Sequence, residues 1–78
     1  MTDLRHALTQ ARLGRWDDAH HLAQSDDSPL AAWLHGILHL QEGDLENAEY
    51  WYRQANENFS SRGSLLEELN RFEAALPD

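Results

Sequence analysis

Cysteine and lysine are both absent from the 78 residues of the chain. Without cysteine the chain forms no disulfide and no thiolate zinc site, and thiol catalysis is excluded. Because all six basic residues are arginines, Schiff-base chemistry and the phosphate-binding lysine of a P-loop are excluded as well. Valine is also missing and β-branched residues are few, which disfavours strands. The abundant Ala, Leu, Glu, Gln and Arg favour helices instead.

Positive charge is scarce: 14 acidic residues against six arginines give a formal net charge of −8. Phosphate backbones repel such a chain, and its arginines are scattered, so we expect no nucleic-acid partner. No apolar run approaches the roughly 20 residues that a membrane span needs. The first ten residues, MTDLRHALTQ, hold no apolar signal core, which predicts a cytoplasmic protein. The length predicts a single domain over residues 1–78.

Apolar residues recur at three- and four-residue steps along most of the chain, which predicts an all-α fold of five helices. We expect two antiparallel hairpins, over 3–24 and 29–59, followed by a capping helix over 64–76. Gly14 and Gly43 mark the ends of the first and third helices. Ser28, an N-cap before Pro29, marks the start of the third helix, and the capping box of Ser64 and Glu67 marks the start of the fifth.

Two segments repeat one pattern: LGRWDDA at 13–19 and EGDLENA at 42–48 both read Gly, one residue, a large apolar residue, two polar residues, Ala. The second copy resembles the tetratricopeptide repeat at Gly36, Gly43, Leu45, Ala48, Tyr52 and Ala55. The first copy is shorter than that family's period of about 34 residues. The segment HLQEGDLENAEYWYRQA at 39–55 also resembles a motif of small bacterial and fungal proteins, and this second resemblance implies no particular activity.

The tetratricopeptide resemblance implies a concave groove that holds a protein or peptide partner. The groove would be lined by mostly apolar residues, Trp33, Ile37, Leu40 and Gln41, and continued by Leu8. An apolar face of this kind also favours self-association as a homodimer. The leading interpretation is therefore an interaction module without catalytic activity or cofactor.

Tyr50, Trp51 and Tyr52 form an aromatic run that a helix cannot bury on one stripe. Tyr52 occupies a core position of the repeat, so Trp51 or Tyr50 must face elsewhere. We expect Trp51 either to pack against the last helix or to serve as an exposed aromatic anchor at an interface.

His35 and His39 lie four residues apart and share a helix face, which is a metal-ligand spacing. With Glu42 three residues further on, they form the alternative hypothesis of a metal or small-ligand site. The competing interpretation packs both histidines inside the hairpin, bonded to Tyr50, Tyr52 or a carbonyl. His20 and His21 are adjacent and point apart, so we expect them on a solvated face rather than among ligands.

Overall fold

The computed structural model describes residues 3–77 and confirms the all-α class. It contains five helices, which are α1 (Leu4–Arg12), α2 (Trp16–Gln24), α3 (Pro29–Gln41), α4 (Leu45–Gln54) and α5 (Leu65–Ala75). No strand occurs within this range. None of these helices combines the length and the apolar character that crossing a bilayer requires.

The predicted helix boundaries rest on local chemistry that the structure confirms. The Ser28 hydroxyl accepts from the N–H of Ala31, with Pro29 at the first helical position of α3. At α5 the Ser64 and Glu67 side chains form the reciprocal capping box. Gly14 and Gly43 follow α1 and α3 with φ of +79° and +82°, a conformation that glycine adopts at no steric cost.

α4 ends earlier than predicted, at Gln54 rather than near residue 59. Asn56 takes a left-handed conformation with φ of +59°, which asparagine tolerates better than most residues. The chain therefore leaves the helix at this point. Phe59 packs edge-on against Tyr52 with ring centroids 5.4 Å apart, so its periodicity reflects core packing and not continued helix.

α3 is the central helix and packs against α2, α4 and α5. Every residue of its segment 31–39 is buried. α3 and α4 approach closely at Gly36, where a Cβ would lie only 2.6 Å from Cδ1 of Tyr52. The absence of a side chain at Gly36 thus sets the distance between these two helices.

α5 lies across the faces of α3 and α1 that were expected to line an open groove. Leu8, Trp33 and Ile37 are consequently 4%, 5% and 0% exposed, which corrects their assignment to a solvent-facing surface. The ring of Phe72 meets Trp33 edge-on at 5.6 Å. The physical reason is the apolar face of α5, since each large side chain buried there contributes about 1.5–3 kcal/mol.

The other residues assigned to the groove also have intramolecular partners. Leu40 is half-buried against the core. The side-chain amide of Gln41 donates to the carbonyl of Ala11 at 3.1 Å and so links α3 to the end of α1. Both side chains are thus engaged within the protein.

A buried carboxylate connects α5 to α4. Glu68 is 0% exposed and accepts from the Tyr52 hydroxyl at 2.5 Å, the Gly63 N–H at 3.1 Å and the Arg71 guanidinium at 2.8 Å. Burial opposes ionisation of Glu68, but these hydrogen bonds outweigh it and hold its pKa below the ordinary value. Burial and the neighbouring carboxylate raise the pKa of Tyr52, which keeps the phenol protonated as a donor.

Candidate metal centre

Three histidines converge between α2 and α3. His20 comes from α2, and His35 and His39 come from adjacent turns of α3. One ring nitrogen from each lies within 4.8 Å of the other two. His35 and His39 are 5% and 8% exposed, whereas His20 is half-buried. Two of the three rings are therefore buried, and His20 is the ring through which the cluster reaches solvent.

The antiparallel packing of α2 on α3 explains this convergence. Trp16 contacts His39 at a centroid distance of 6.0 Å, and His20 contacts His35 at 4.5 Å. From the first contact to the second, the residue number rises by four along α2 and falls by four along α3. One helical turn is 3.6 residues, so each step returns the side chain to the same interface.

Two tryptophans wall the cluster. Trp16 stacks on His20 with centroids 4.5 Å apart and planes 13° apart, and Trp51 stacks on His35 at 3.9 Å and 11°. The indole N–H of Trp16 donates to the carbonyl of Leu38 at 2.6 Å, which fixes that ring against α3. Trp51 is half-buried, and stacking on His35 is a role that neither sequence-based interpretation anticipated.

Burial favours the neutral form of two of the rings, His35 and His20. It lowers the pKa of His35 to about 4, with further contributions from His20 and His39. It also lowers the pKa of His20, although the carboxylates of Glu42 and Asp17 partly oppose the effect. Neutral imidazole keeps a nitrogen lone pair, which is the form that coordinates metal ions. A cavity of about 180 Å³ borders His35 next to the α2–α3 loop.

Glu42 contacts the cluster through His39, whose Nδ1 lies 2.5 Å from Oε1 of Glu42. His39, Glu42 and Asp44 also bring three donor atoms together. However, Asp44 caps α4 and accepts both the backbone N–H and the side-chain amide of Asn47. These bonds lower its pKa and occupy the carboxylate, so the three histidines are the better candidate.

The structure groups His35 and His39 with His20, whereas Glu42 is grouped with His39 and Asp44. The expectation of a solvated face agrees with His21, which is exposed, but it is wrong for His20, whose ring contacts those of His35 and His39. The expected hydrogen bond from a histidine to Tyr52 is not formed, since its hydroxyl donates to Glu68. A signal for His20 existed in the sequence: a short loop between α2 and α3 places their middle turns opposite each other.

Comparisons with protein-family models, with curated proteins and with solved structures gave no match to this chain. Function must therefore be argued from the geometry of these side chains.

Proposed function

We propose that this protein binds a divalent transition-metal ion through His20, His35 and His39. The observation that carries the proposal is the convergence of three imidazoles from two helices, with their nitrogens within 4.8 Å of one another. Imidazole nitrogens suit Zn²⁺, Cu²⁺ and Ni²⁺, whereas Mg²⁺ and Ca²⁺ prefer oxygen ligands. The site therefore selects borderline metals over hard ones.

The dimensions of the cluster suit one ion. Zn–N bonds of about 2.0–2.1 Å at tetrahedral angles place bound nitrogens about 3.3 Å apart. Ring rotations that close the cluster by up to roughly 1.5 Å reach that distance. Three protein ligands leave the fourth position of the metal to water or a small ligand, and the half-buried His20 marks the side from which that ligand enters.

The aromatic walls support the proposal because they restrict the ligating rings. Stacked tryptophans hold His20 and His35 near the cluster, so a small adjustment of these rings closes it and less side-chain entropy is lost when a metal binds. The walls also provide a probe, since both indoles lie within direct contact of a ligating ring.

Calorimetric titration with Zn²⁺ and quenching of tryptophan fluorescence by Cu²⁺ test this function. We expect one site of micromolar or tighter affinity, abolished by His35→Ala and weakened by His20→Ala. His21→Ala, which changes an exposed neighbour on the same helix, is the matched control and should bind normally. Binding that survives His20→Ala but is lost in Asp44→Asn would assign the metal to the other cluster, and no heat in the wild type would end the proposal.

Self-association, predicted from the apolar residues of the sequence, is the second candidate function. Because α5 covers the expected groove, association would use side chains that remain exposed, such as Leu13 and Leu66, each 62% exposed. Light scattering coupled to size exclusion, with and without zinc, tests it. A monomer at all concentrations argues against it, and a dimer abolished by Leu66→Ser supports it.

A further inference from the structure

His39 is the member of the metal centre that a carboxylate holds. Its Nδ1 lies 2.5 Å from Oε1 of Glu42. Glu42 follows one turn after His39 as the C-cap of α3, where its backbone N–H bonds to the carbonyls of Leu38 and Leu40. Because these bonds fix the backbone of Glu42, the C-terminal end of α3 positions the Glu42 carboxylate next to His39.

The chemistry of this contact determines where the proton of His39 lies. A neutral imidazole carries one N–H and one lone pair, and an ionised carboxylate only accepts hydrogen bonds. When a neutral imidazole meets an ionised carboxylate, a 2.5 Å contact from Nδ1 to Glu42 places the proton on Nδ1. The lone pair is then on Nε2, the nitrogen on the other side of the ring.

We propose that Glu42 is the positioning residue of this site: it holds His39 in the Nδ1–H tautomer, so that Nε2 receives the metal. The part of the proposal that concerns the metal rests on the proposed function, whereas the tautomer does not. Ligating histidines commonly donate their second N–H to a carboxylate, which fixes the ring and raises its basicity, and loss of such a partner typically costs 10–100-fold in affinity.

The position of Glu42 relative to the other ligands supports this role. Its charge acts on His20 and its carboxylate contacts His39, which places Glu42 beside two of the three rings. Among the described residues, the Glu42 carboxylate is hydrogen-bonded to His39. The Asp44 carboxylate instead accepts a hydrogen bond from the side chain of Asn47. Glu42 is thus available to the metal centre and is not committed to capping α4.

The tautomer is measured directly on the metal-free protein. Long-range ¹H–¹⁵N correlation spectra at about pH 8, above the ordinary pKa of imidazole of about 6.5, distinguish Nδ1–H from Nε2–H. We expect Nδ1–H for His39 in the wild type and in Glu42→Gln, whose amide oxygen still accepts. In Glu42→Ala we expect a mixture or a shift to Nε2–H, and in Glu46→Ala, an exposed acidic control, no change.

The same variants are then titrated with Zn²⁺. Affinity should fall 10–100-fold in Glu42→Ala, fall less in Glu42→Gln and stay unchanged in Glu46→Ala. An Nε2–H tautomer in the wild type overturns the proposal even if Glu42→Ala does not fold, and so does an unchanged tautomer in Glu42→Ala. If the tautomer responds as expected but no form binds zinc, the role of Glu42 in positioning the ring is supported and the metal function is refuted.

Discussion

Replacement of Gly36 by alanine sets two physical effects against each other at a single residue. In an exposed helix interior this change stabilises by about 0.5–1 kcal/mol, because alanine restricts the unfolded chain more than glycine does. Here the new methyl would lie 2.6 Å from the Tyr52 ring and 3.2 Å from the Ala48 carbonyl. Tyr52 is fully buried and bonded to Glu68, so it cannot move aside.

We therefore expect Gly36→Ala to destabilise the protein by about 1–2 kcal/mol net, since overpacking costs about 1–3 kcal/mol. Urea unfolding followed by circular dichroism measures the difference. The sign of the change in the free energy of unfolding decides the question. A more stable variant would mean that α3 and α4 separate easily and that their close crossing is not required.

At the same scale, sequence reasoning identified Gly36 but missed His20. Gly36 belongs to a spacing pattern within one hairpin, so local periodicity was sufficient to find it. The role of His20 depends on how α2 packs against α3, and adjacency to His21 gave the opposite indication. Convergence of side chains from two helices is a property of tertiary packing, and local periodicity in one helix does not specify it.

At the scale of elements, the Tyr52–Glu68 hydrogen bond links α4 to α5. Tyr52→Phe removes one donor from a fully buried carboxylate and keeps the ring. We expect a loss of about 1–3 kcal/mol in the free energy of unfolding at neutral pH. Tyr50→Phe, which removes an exposed hydroxyl from the same helix, is the control and should stay within about 0.5 kcal/mol of the wild type.

The same pair predicts a pH dependence with a definite sign. The pKa of Glu68 is held below its ordinary value of 4.5. A carboxyl whose pKa is lower in the folded than in the unfolded protein contributes its full stabilisation at pH values above its pKa in the unfolded chain. This stabilisation is lost as the pH falls through its pKa in the folded protein. The difference between wild type and Tyr52→Phe should therefore shrink below about pH 4.5. Chemical unfolding of both proteins at several acidic pH values measures it, and a constant difference would refute an ionised Glu68.

The helices themselves were predictable because their caps are local. Ser28 with Pro29 and the Ser64–Glu67 box specify where α3 and α5 begin, and both were identified from sequence. Where α5 packs was not predictable by the same means. The apolar faces of α1 and α3 can be covered by a partner or by the chain's own last helix. Trp33 is buried in either case, so the apolar pattern does not distinguish between them. Only the path of residues 55–64 brings α5 back onto that face.

For the whole molecule, a metal at the three-histidine site would act as a staple between α2 and α3. A chain of this length has a thin core, with a net stability of roughly 3–5 kcal/mol. An ion that binds only the folded state at 100 times its dissociation constant adds about 2.7 kcal/mol. For a domain of this size each kcal/mol raises Tm by about 4–8 °C. Zinc should therefore raise Tm by roughly 10–20 °C, an effect that a chelator reverses.

The comparison that isolates the site is the zinc-dependent shift of Tm within each variant. His35→Ala leaves a cavity beside Trp51 and lowers Tm without metal, so only the response to zinc is informative. That response should vanish in His35→Ala and persist in His21→Ala. An equal shift in both variants would place the ion elsewhere, and a fall in Tm would mean that zinc prefers the unfolded chain. Because His20 and His35 lie on different helices, a shift that is lost in His35→Ala and reduced in His20→Ala shows that the ion joins α2 to α3.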